Sequence, residues 1–254
     1  MTDELFERGH AMDVPMRRGR LLATAYAHIY QPTADLRLVR HCLTRVRGAH
    51  LALGCGTGRE LEPALEARRA AIGIDYWEDM LDVARRRFLA RHADLLSLQC
   101  ADFTSVELPR QVGLITCLSN TWPMILERKH RRAMWQRCCS SLATGGLMMV
   151  VVVNQYPPGV LERHMEIDTD SGKLDFHIRW EEDRAMSLRT YHLDLSRQQE
   201  SEVHTIPTAI IAHTEMIIDA QNAGFLVDAI FGDYDESPLS DSSPWQVIIC
   251  TKDA

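Results

Sequence analysis

LALGCGTGRE, residues 51–60, is the stretch from which the rest of the chain can be read. It completes a short apolar run of strand length, His50–Leu53, and passes at once into three glycines at alternate positions, Gly54, Gly56 and Gly58. Glycine has no Cβ and enters left-handed backbone freely, so this spacing predicts a tight turn along which a ligand can approach the main chain. Residues 59–69 are helix-compatible, and the unpaired amides of a helix N-terminus would point toward the same place. Strand, glycine turn and helix in this order mark a nucleotide-type site. Two phosphate-binding patterns nevertheless fail. GxGxxG needs a further glycine at 59 or 61, where Arg59 and Leu61 stand, and GxxxxGK[ST] occurs nowhere.

Downstream, a second strand over 70–74 ends in Asp75, and 77–92 reads as a helix with Met80, Leu81, Ala84 and Phe88 on one face. Strand candidates at 96–100, 112–118 and 147–153 follow, with a helix over 128–142 closed by Gly145-Gly146. Short apolar strands alternating with helices need crossover connections, which predicts a parallel sheet covered on both faces. Between about 160 and 210 the period changes. Leu174, Phe176, Ile178 and Trp180 alternate with Lys173, Asp175, His177 and Arg179, the pattern of a half-exposed strand in an antiparallel array. Turns at 170–172, 181–183 and 196–201 separate it from further strands around 186–195 and 203–211. A helix over 215–223, capped by Thr214 and stopped by Gly224, then precedes strands at 225–231 and 245–251. Upstream, 10–47 is helix-like with a break at Pro32, and Leu22, Tyr26, Ile29 and Tyr30 recur at helical spacing. The expected organisation is an α/β core over 47–157 and 212–254, a helical N-terminal cap over 1–46 and an antiparallel β insert, or lid, over 158–211.

A length of 254 residues with 46% apolar and 25% charged positions suits one domain with an insertion. The formal charge of −7 sets the surface against nucleic acid and anionic lipid. No apolar run approaches the roughly 18 residues of a spanning helix, and MTDELFERGH at the start lacks the basic and apolar regions of a signal peptide. A cytoplasmic location is expected, with a small-molecule partner and neither nucleic acid nor membrane. The seven cysteines are odd in number and never in CxxC spacing, so they read as reduced thiols. His164, His177, His192, His204 and His213 fall at neither HxH nor HxxxH spacing, and no metal site is expected.

LxLGCGTGRE closely resembles the first motif of class I S-adenosylmethionine-dependent methyltransferases. GIDYWEDML, residues 73–81, is similar to the family's second motif, and Cys100-Ala101-Asp102-Phe103 to its third-strand motif. The resemblance spans about 47–155 and resumes over 214–252. It implies a Rossmann-like, doubly wound seven-stranded sheet with an antiparallel last strand, S-adenosylmethionine as cofactor and S-adenosylhomocysteine as product. It also implies that Gly54, Cys55, Gly56 and Gly58 pack against the methionine part of the cofactor. Asp75, 21 residues after Gly54, is implied to accept protons from both ribose hydroxyls, close to the offset of the acid in other nucleotide folds. By the same resemblance Met80 flanks the adenine, Asp102 bonds its amino group, Phe103 lies beside the ring, and Tyr76 and Leu118 complete the set. Tyr26 and Tyr30, four apart, are similar to tyrosines that close over the site in small-molecule members. Tyr30 is taken with the cofactor and Tyr26 with the acceptor.

Methyl transfer from a sulfonium is an in-line displacement with a neutral leaving group, so holding acceptor and methyl at about 3–3.5 Å can suffice. Leu118-Ser119-Asn120-Thr121-Trp122-Pro123 falls where this family places acceptor-facing groups. Its Asn-hydroxyl pair resembles that of the glycine and sarcosine methyltransferase branch, making Asn120 the candidate for positioning the acceptor and Trp122 a second contact. The Asn/Asp-Pro-Pro-aromatic signature of nucleic-acid amino methylases does not occur here. Arg179 is the candidate for holding an acceptor carboxylate in bidentate fashion. Simpler readings stay open: a helix cap for Asp75, a solvated loop acid for Asp102, core packing for the tyrosines and a solvated rim for Arg179. The expected function is methyl transfer to nitrogen, or oxygen, of a small metabolite. A non-catalytic cofactor-binding regulator and a nicotinamide-dependent dehydrogenase are the alternatives. Oligomeric state stays open, a homodimer included.

Overall fold

The computed structural model describes residues 18–29, 34–156 and 161–253. Two amphipathic helices come first. Helix α1 (Arg20–Ile29) buries Leu21, Leu22, Ala23 and Ala25, and α2 (Ala34–Arg45) buries Leu36, Leu38, Val39 and Cys42. Strands β1 (His50–Leu53), β2 (Ala71–Asp75), β3 (Leu96–Cys100), β4 (Val112–Cys117) and β5 (Leu142–Val153) then run parallel. Helix α3 (Glu62–Glu66) joins β1 to β2, α4 (Glu78–His92) joins β2 to β3, and α5 (Arg128–Ser141) joins β4 to β5. A separate meander follows: β6 (Glu162–Thr169), β7 (Gly172–Asp183), β8 (Leu188–Arg197) and β9 (Glu200–Ala209), each antiparallel to the next. Helix α6 (His213–Asn222) returns the chain to β10 (Phe225–Phe231), and β11 (Trp245–Lys252) inserts antiparallel between β10 and β5. The main sheet therefore has the order β10-β11-β5-β4-β1-β2-β3.

That order reverses between β1 and β4: β2 and β3 are added on one side of β1, β4 and β5 on the other. The crevice beyond the carboxyl ends of these two strands is where open α/β sheets bind ligands. It is held rigidly. All residues of β1 and β4 are buried, as is Leu147 through Val153 of β5, and each Leu, Ile, Val or Met side chain among them contributes about 1.5–3 kcal/mol relative to exposure.

Several expectations shift in detail. The helix expected over 59–69 is a 3-10 turn over Arg59–Leu61 followed by α3, which is only five residues long. Gly145-Gly146 does not close α5. It lies inside β5, where the register with β4 shifts between Val112 and Leu114. Thr214 falls within the first turn of α6, whose cap position is Ala212. Strand β6 escapes the alternation rule because it is an edge strand of mostly polar and charged residues in which only Ile167 is buried, opposite Leu174. The N-terminal cap divides between two cores: α1 packs with Ile167, Leu174, Phe176, Leu193 and Leu195 of the meander, whereas Leu38, Val39 and Cys42 of α2 join the main sheet. All seven cysteines are free thiols. Among the described residues no helix is long and apolar enough to cross a membrane, and no group of three or more side chains could hold a metal ion.

Candidate functional site

Beyond β1 and β4 lies a cavity of about 1010 Å³. One side is the glycine turn with the ends of β2 and β3. The other is built from Thr121, the 124–127 loop and, from the meander, Met186, Leu188, Ile206, Pro207 and Ala209. The turn is fixed by Asp75, which is 6% exposed at the end of β2. Its Oδ2 accepts the Gly56 N–H at 2.7 Å and its Oδ1 accepts the Trp77 N–H at 2.8 Å. Burial pushes the Asp75 carboxyl above its ordinary range, and the amides of Trp77, Gly56 and Tyr76 oppose that shift.

The glycines have different tasks. Gly56 has φ +53°, lines the cavity, and a Cβ built on it meets no protein atom within 4 Å, so the space beside it is left for a ligand. Gly58, with φ +77°, does not line the cavity. A Cβ there would stand 2.9 Å from the Ala84 Cβ, so this glycine lets the turn pack on α4.

Of the residues singled out from sequence, Gly54, Cys55, Gly56, Asp75 and Tyr76 line the cavity, as do Met80, Asp102, Phe103, Leu118 and Tyr26. Asp102 is turned partly toward its own loop, since Oδ1 accepts the Thr104 N–H at 2.8 Å and the Thr104 hydroxyl at 2.7 Å. Tyr30 lies outside the described residues. Three acceptor candidates sit elsewhere, each for a local reason. Asn120 does not line the cavity: its Oδ1 accepts the Val153 N–H at 2.9 Å and its Nδ2 donates to the Tyr191 hydroxyl at 3.2 Å, tying the exit of β4 to β5 and β8. Trp122 is fully buried against Trp135, ring centroids 4.8 Å apart, because the 3-10 turn over Trp122–Met124 directs its ring into the core. Thr121 and Met124, on either side, face the cavity instead. Arg179 alternates with the packed Ile178 and Trp180, and so projects outward to Asp194 at 3.3 Å.

Sequence reasoning quoted Arg59 and Glu60 without weighing them, yet both line the cavity. Arg59 forms a buried two-pronged pair with Asp35 of α2, one prong at 2.8 Å. Glu60 is 5% exposed. Its carboxyl is held up at about 8, first by burial, against the lowering effects of Arg59 and a hydrogen bond with Thr116. Charged residues directly after a glycine turn were the available signal.

Residues 51–146 match the family model described as a methyltransferase domain. No curated protein matches the chain in sequence. Among solved structures the fold is shared with the CcbJ methyltransferase from Streptomyces caelestis, at 18% identity and TM-score 0.77, over 93% of this chain and 98% of that one. It is shared also with the sugar N-methyltransferase KedS8 from a Streptoalloteichus species, at 16% identity and TM-score 0.67, over 99% and 93%. CalS10, an amino pentose methyltransferase from Micromonospora echinaspora solved with S-adenosylmethionine bound, aligns at 16% identity and TM-score 0.64 over 99% and 97%. Residues 51–146 thus match a methyltransferase domain, and the doubly wound sheet with its switch-point cavity is the fold of the aligned methyltransferases.

Proposed function

We propose that the protein transfers a methyl group from S-adenosylmethionine to a nitrogen of a small metabolite. The observation that carries this reading is a cavity in which one wall is the glycine turn with Asp75 and the opposite wall is largely apolar and supplied by the 124–127 loop and the insert. Its volume of about 1010 Å³ suits two small ligands side by side. A nucleic-acid strand would need an open, positively charged groove instead.

The residues present fit the donor. Gly56 leaves room for a ligand against the main chain, and Asp75 keeps lone pairs on both oxygens beyond its two backbone bonds, enough for two ribose hydroxyls. Tyr76, Met80 and Phe103 are assigned to the adenine, with Asp102 Oδ2 toward its amino group. Gly54, Cys55 and Leu118 are assigned to the methionine side. When bound, the donor supplies an electrophilic methyl on a sulfonium whose departure leaves a neutral thioether. The protein's part is to hold and to dry. Met124, Leu188, Ile206 and Pro207 exclude water from the acceptor half, and Tyr26 of α1 closes over it. The insert over 158–211 acts as the acceptor lid. A nitrogen acceptor that arrives neutral needs no base. Nitrogen is preferred because relatives of this fold are named as N-methyltransferases of sugars and glycopeptides, and because of the Asn120-Thr121 resemblance, although Asn120 itself acts through the loop it anchors.

Incubating the protein and a metabolite extract with methyl-labelled donor, followed by mass spectrometry, tests the reading. A product shifted by the label, at a nitrogen located by fragmentation, is the expected result. A label confined to oxygen, or to polynucleotide, would overturn it.

A further inference from the structure

Helix α5 lines the cavity with Ala133, Met134 and Arg137, and two of its arginines are spent on loops that form the cavity walls. Arg131 and Arg137 are six residues apart, which on an α-helix is about 9 Å along the axis and roughly a third of a turn around it. They therefore reach different loops. Arg131, 5% exposed, donates through Nη1 to the carbonyls of Ile125 at 2.8 Å and Leu126 at 2.6 Å, and through Nη2 to Glu215 at 2.7 Å. Arg137 donates through Nη1 to the carbonyls of Phe103, at 3.2 Å, and Thr104, and through Nη2 to that of Val106.

The loop held by Arg137 is the one that carries Asp102. Its own backbone bonds, from the Ser105 and Val106 N–H to the Asp102 carbonyl at 2.9 and 3.2 Å, close one turn. The Asp102 carboxyl is oriented by Thr104, whose N–H and hydroxyl both donate to Oδ1. Arg137 binds the carbonyl of that same Thr104. A chain of hydrogen bonds thus runs from the guanidinium through Thr104 to Oδ1, and it fixes where Oδ2 points. Hydrogen bonds from an ionised donor are roughly twice as strong as neutral ones, and a planar guanidinium presents its donors in fixed directions. Three carbonyls on one such cation hold the loop to one shape. A lysine supplies the charge without the fork.

We propose that Arg137 is a positioning residue for recognition of the cofactor's base. By holding Phe103, Thr104 and Val106 it sets Asp102 against the adenine amino group, and with it the preference for adenine over a base that lacks this group. The inference rests on the reading of the cavity as the S-adenosylmethionine site with Asp102 toward the adenine. Arg131 provides the contrast on the same helix, because its bonds go to the 124–127 loop and α6.

Calorimetry with S-adenosylhomocysteine and S-inosylhomocysteine, in which a carbonyl replaces the amino group of the base, tests this. Wild type should bind the adenosyl ligand about ten-fold or more tightly than the inosyl one, since the carbonyl would face the Asp102 carboxylate. Arg137→Met should weaken the adenosyl ligand about ten-fold and the inosyl one far less, bringing the ratio of affinities close to one. Arg131→Lys should keep the wild-type ratio. A wild-type ratio in Arg137→Met would overturn the inference. So would an equal loss of the ratio in Arg131→Lys, which would mean a general loosening of α5. If Arg137→Met does not fold, Arg137→Lys decides by the same measure: its ratio should fall between that of wild type and one, and an unchanged ratio overturns the inference. A wild type that binds both ligands equally would overturn the placement of Asp102, and the inference with it.

Discussion

The two halves of the cavity are built by different means. On the sheet side the walls are polar and local: a glycine turn, Asp75 two residues from the amide it caps, and Arg59 and Glu60 in the adjoining turn. On the insert side they are largely apolar, with Thr121 and Glu127 among them, and assembled from segments far apart in sequence, the 124–127 loop with Met186, Leu188, Ile206 and Ala209. A polar wall must satisfy its buried groups by hydrogen bonding, which fixes residue types at fixed spacings. An apolar wall needs only volume and water exclusion, and many side chains provide both. The first half is thereby committed to one ligand, while the second is free to vary with the acceptor.

The largest effect expected from this contrast is electrostatic. Glu60 has a folded-state pKa of about 8 against an ordinary 4.5, so the folded protein binds a proton that the unfolded chain has released. Stability contributed by this group is full below pH 4.5 and is lost as pH rises through about 8. The ligand-free protein should lose about 3 kcal/mol between pH 5 and 8 relative to Glu60→Gln, read as the difference between their urea midpoints. Parallel pH profiles for the two proteins would show that burial does not keep Glu60 protonated in the fold. Next is Asp75→Ala, which strands the Gly56 and Trp77 amides as well as removing the ribose contacts. A loss of about 2–3 kcal/mol in S-adenosylhomocysteine binding is expected by calorimetry, with acceptor KM unaltered at saturating donor. Smaller again is Ile206→Ala on the insert side. It should raise acceptor KM by about 1–2 kcal/mol equivalent and leave donor affinity unchanged, since only apolar contact is lost.

The same contrast decides what could be read before the structure. The parallel sheet, the turn and Asp75 were legible because β1, β2 and β4 are short, mostly apolar runs and the turn demands glycine. Strand β6 was not, because an edge strand hydrogen-bonded to one neighbour tolerates ERHMEIDT. Asn120, Trp122 and Arg179 were sought on the acceptor side by residue type, yet type does not give direction. A 3-10 turn sends Trp122 into the core, strand alternation sends Arg179 to solvent, and a left-handed Asn120 at φ +66° spends its amide on Val153. The apolar wall contributed by Leu188 and Ile206 has no sequence signature at all, since it exists only when the insert lies against the turn that follows β4.

The seam between the halves provides the finest test. Asn120 donates to the Tyr191 hydroxyl at 3.2 Å, and that hydroxyl lies 3.0 Å from the hydroxyl of Tyr156, so one oxygen on β8 holds the insert against both the β4 exit and the chain after β5. Tyr191→Phe keeps the ring and removes the hydroxyl with its bonds to Asn120, Tyr156 and Arg189, whereas replacing Asn120 would also leave the Val153 amide unpaired in the core. The expected cost in stability is about 0.5–1.5 kcal/mol. What matters more is how it divides. If the insert shapes only the acceptor wall, Tyr191→Phe raises acceptor KM and leaves S-adenosylhomocysteine affinity where it was, measured on the same preparation. An equal loss in both would mean that the insert also holds Thr121 and the glycine turn in place. Gly54 makes that coupling physically reachable, since a Cβ there would stand 2.3 Å from the Thr121 methyl. The two walls would then be one mechanical unit despite their different chemistry.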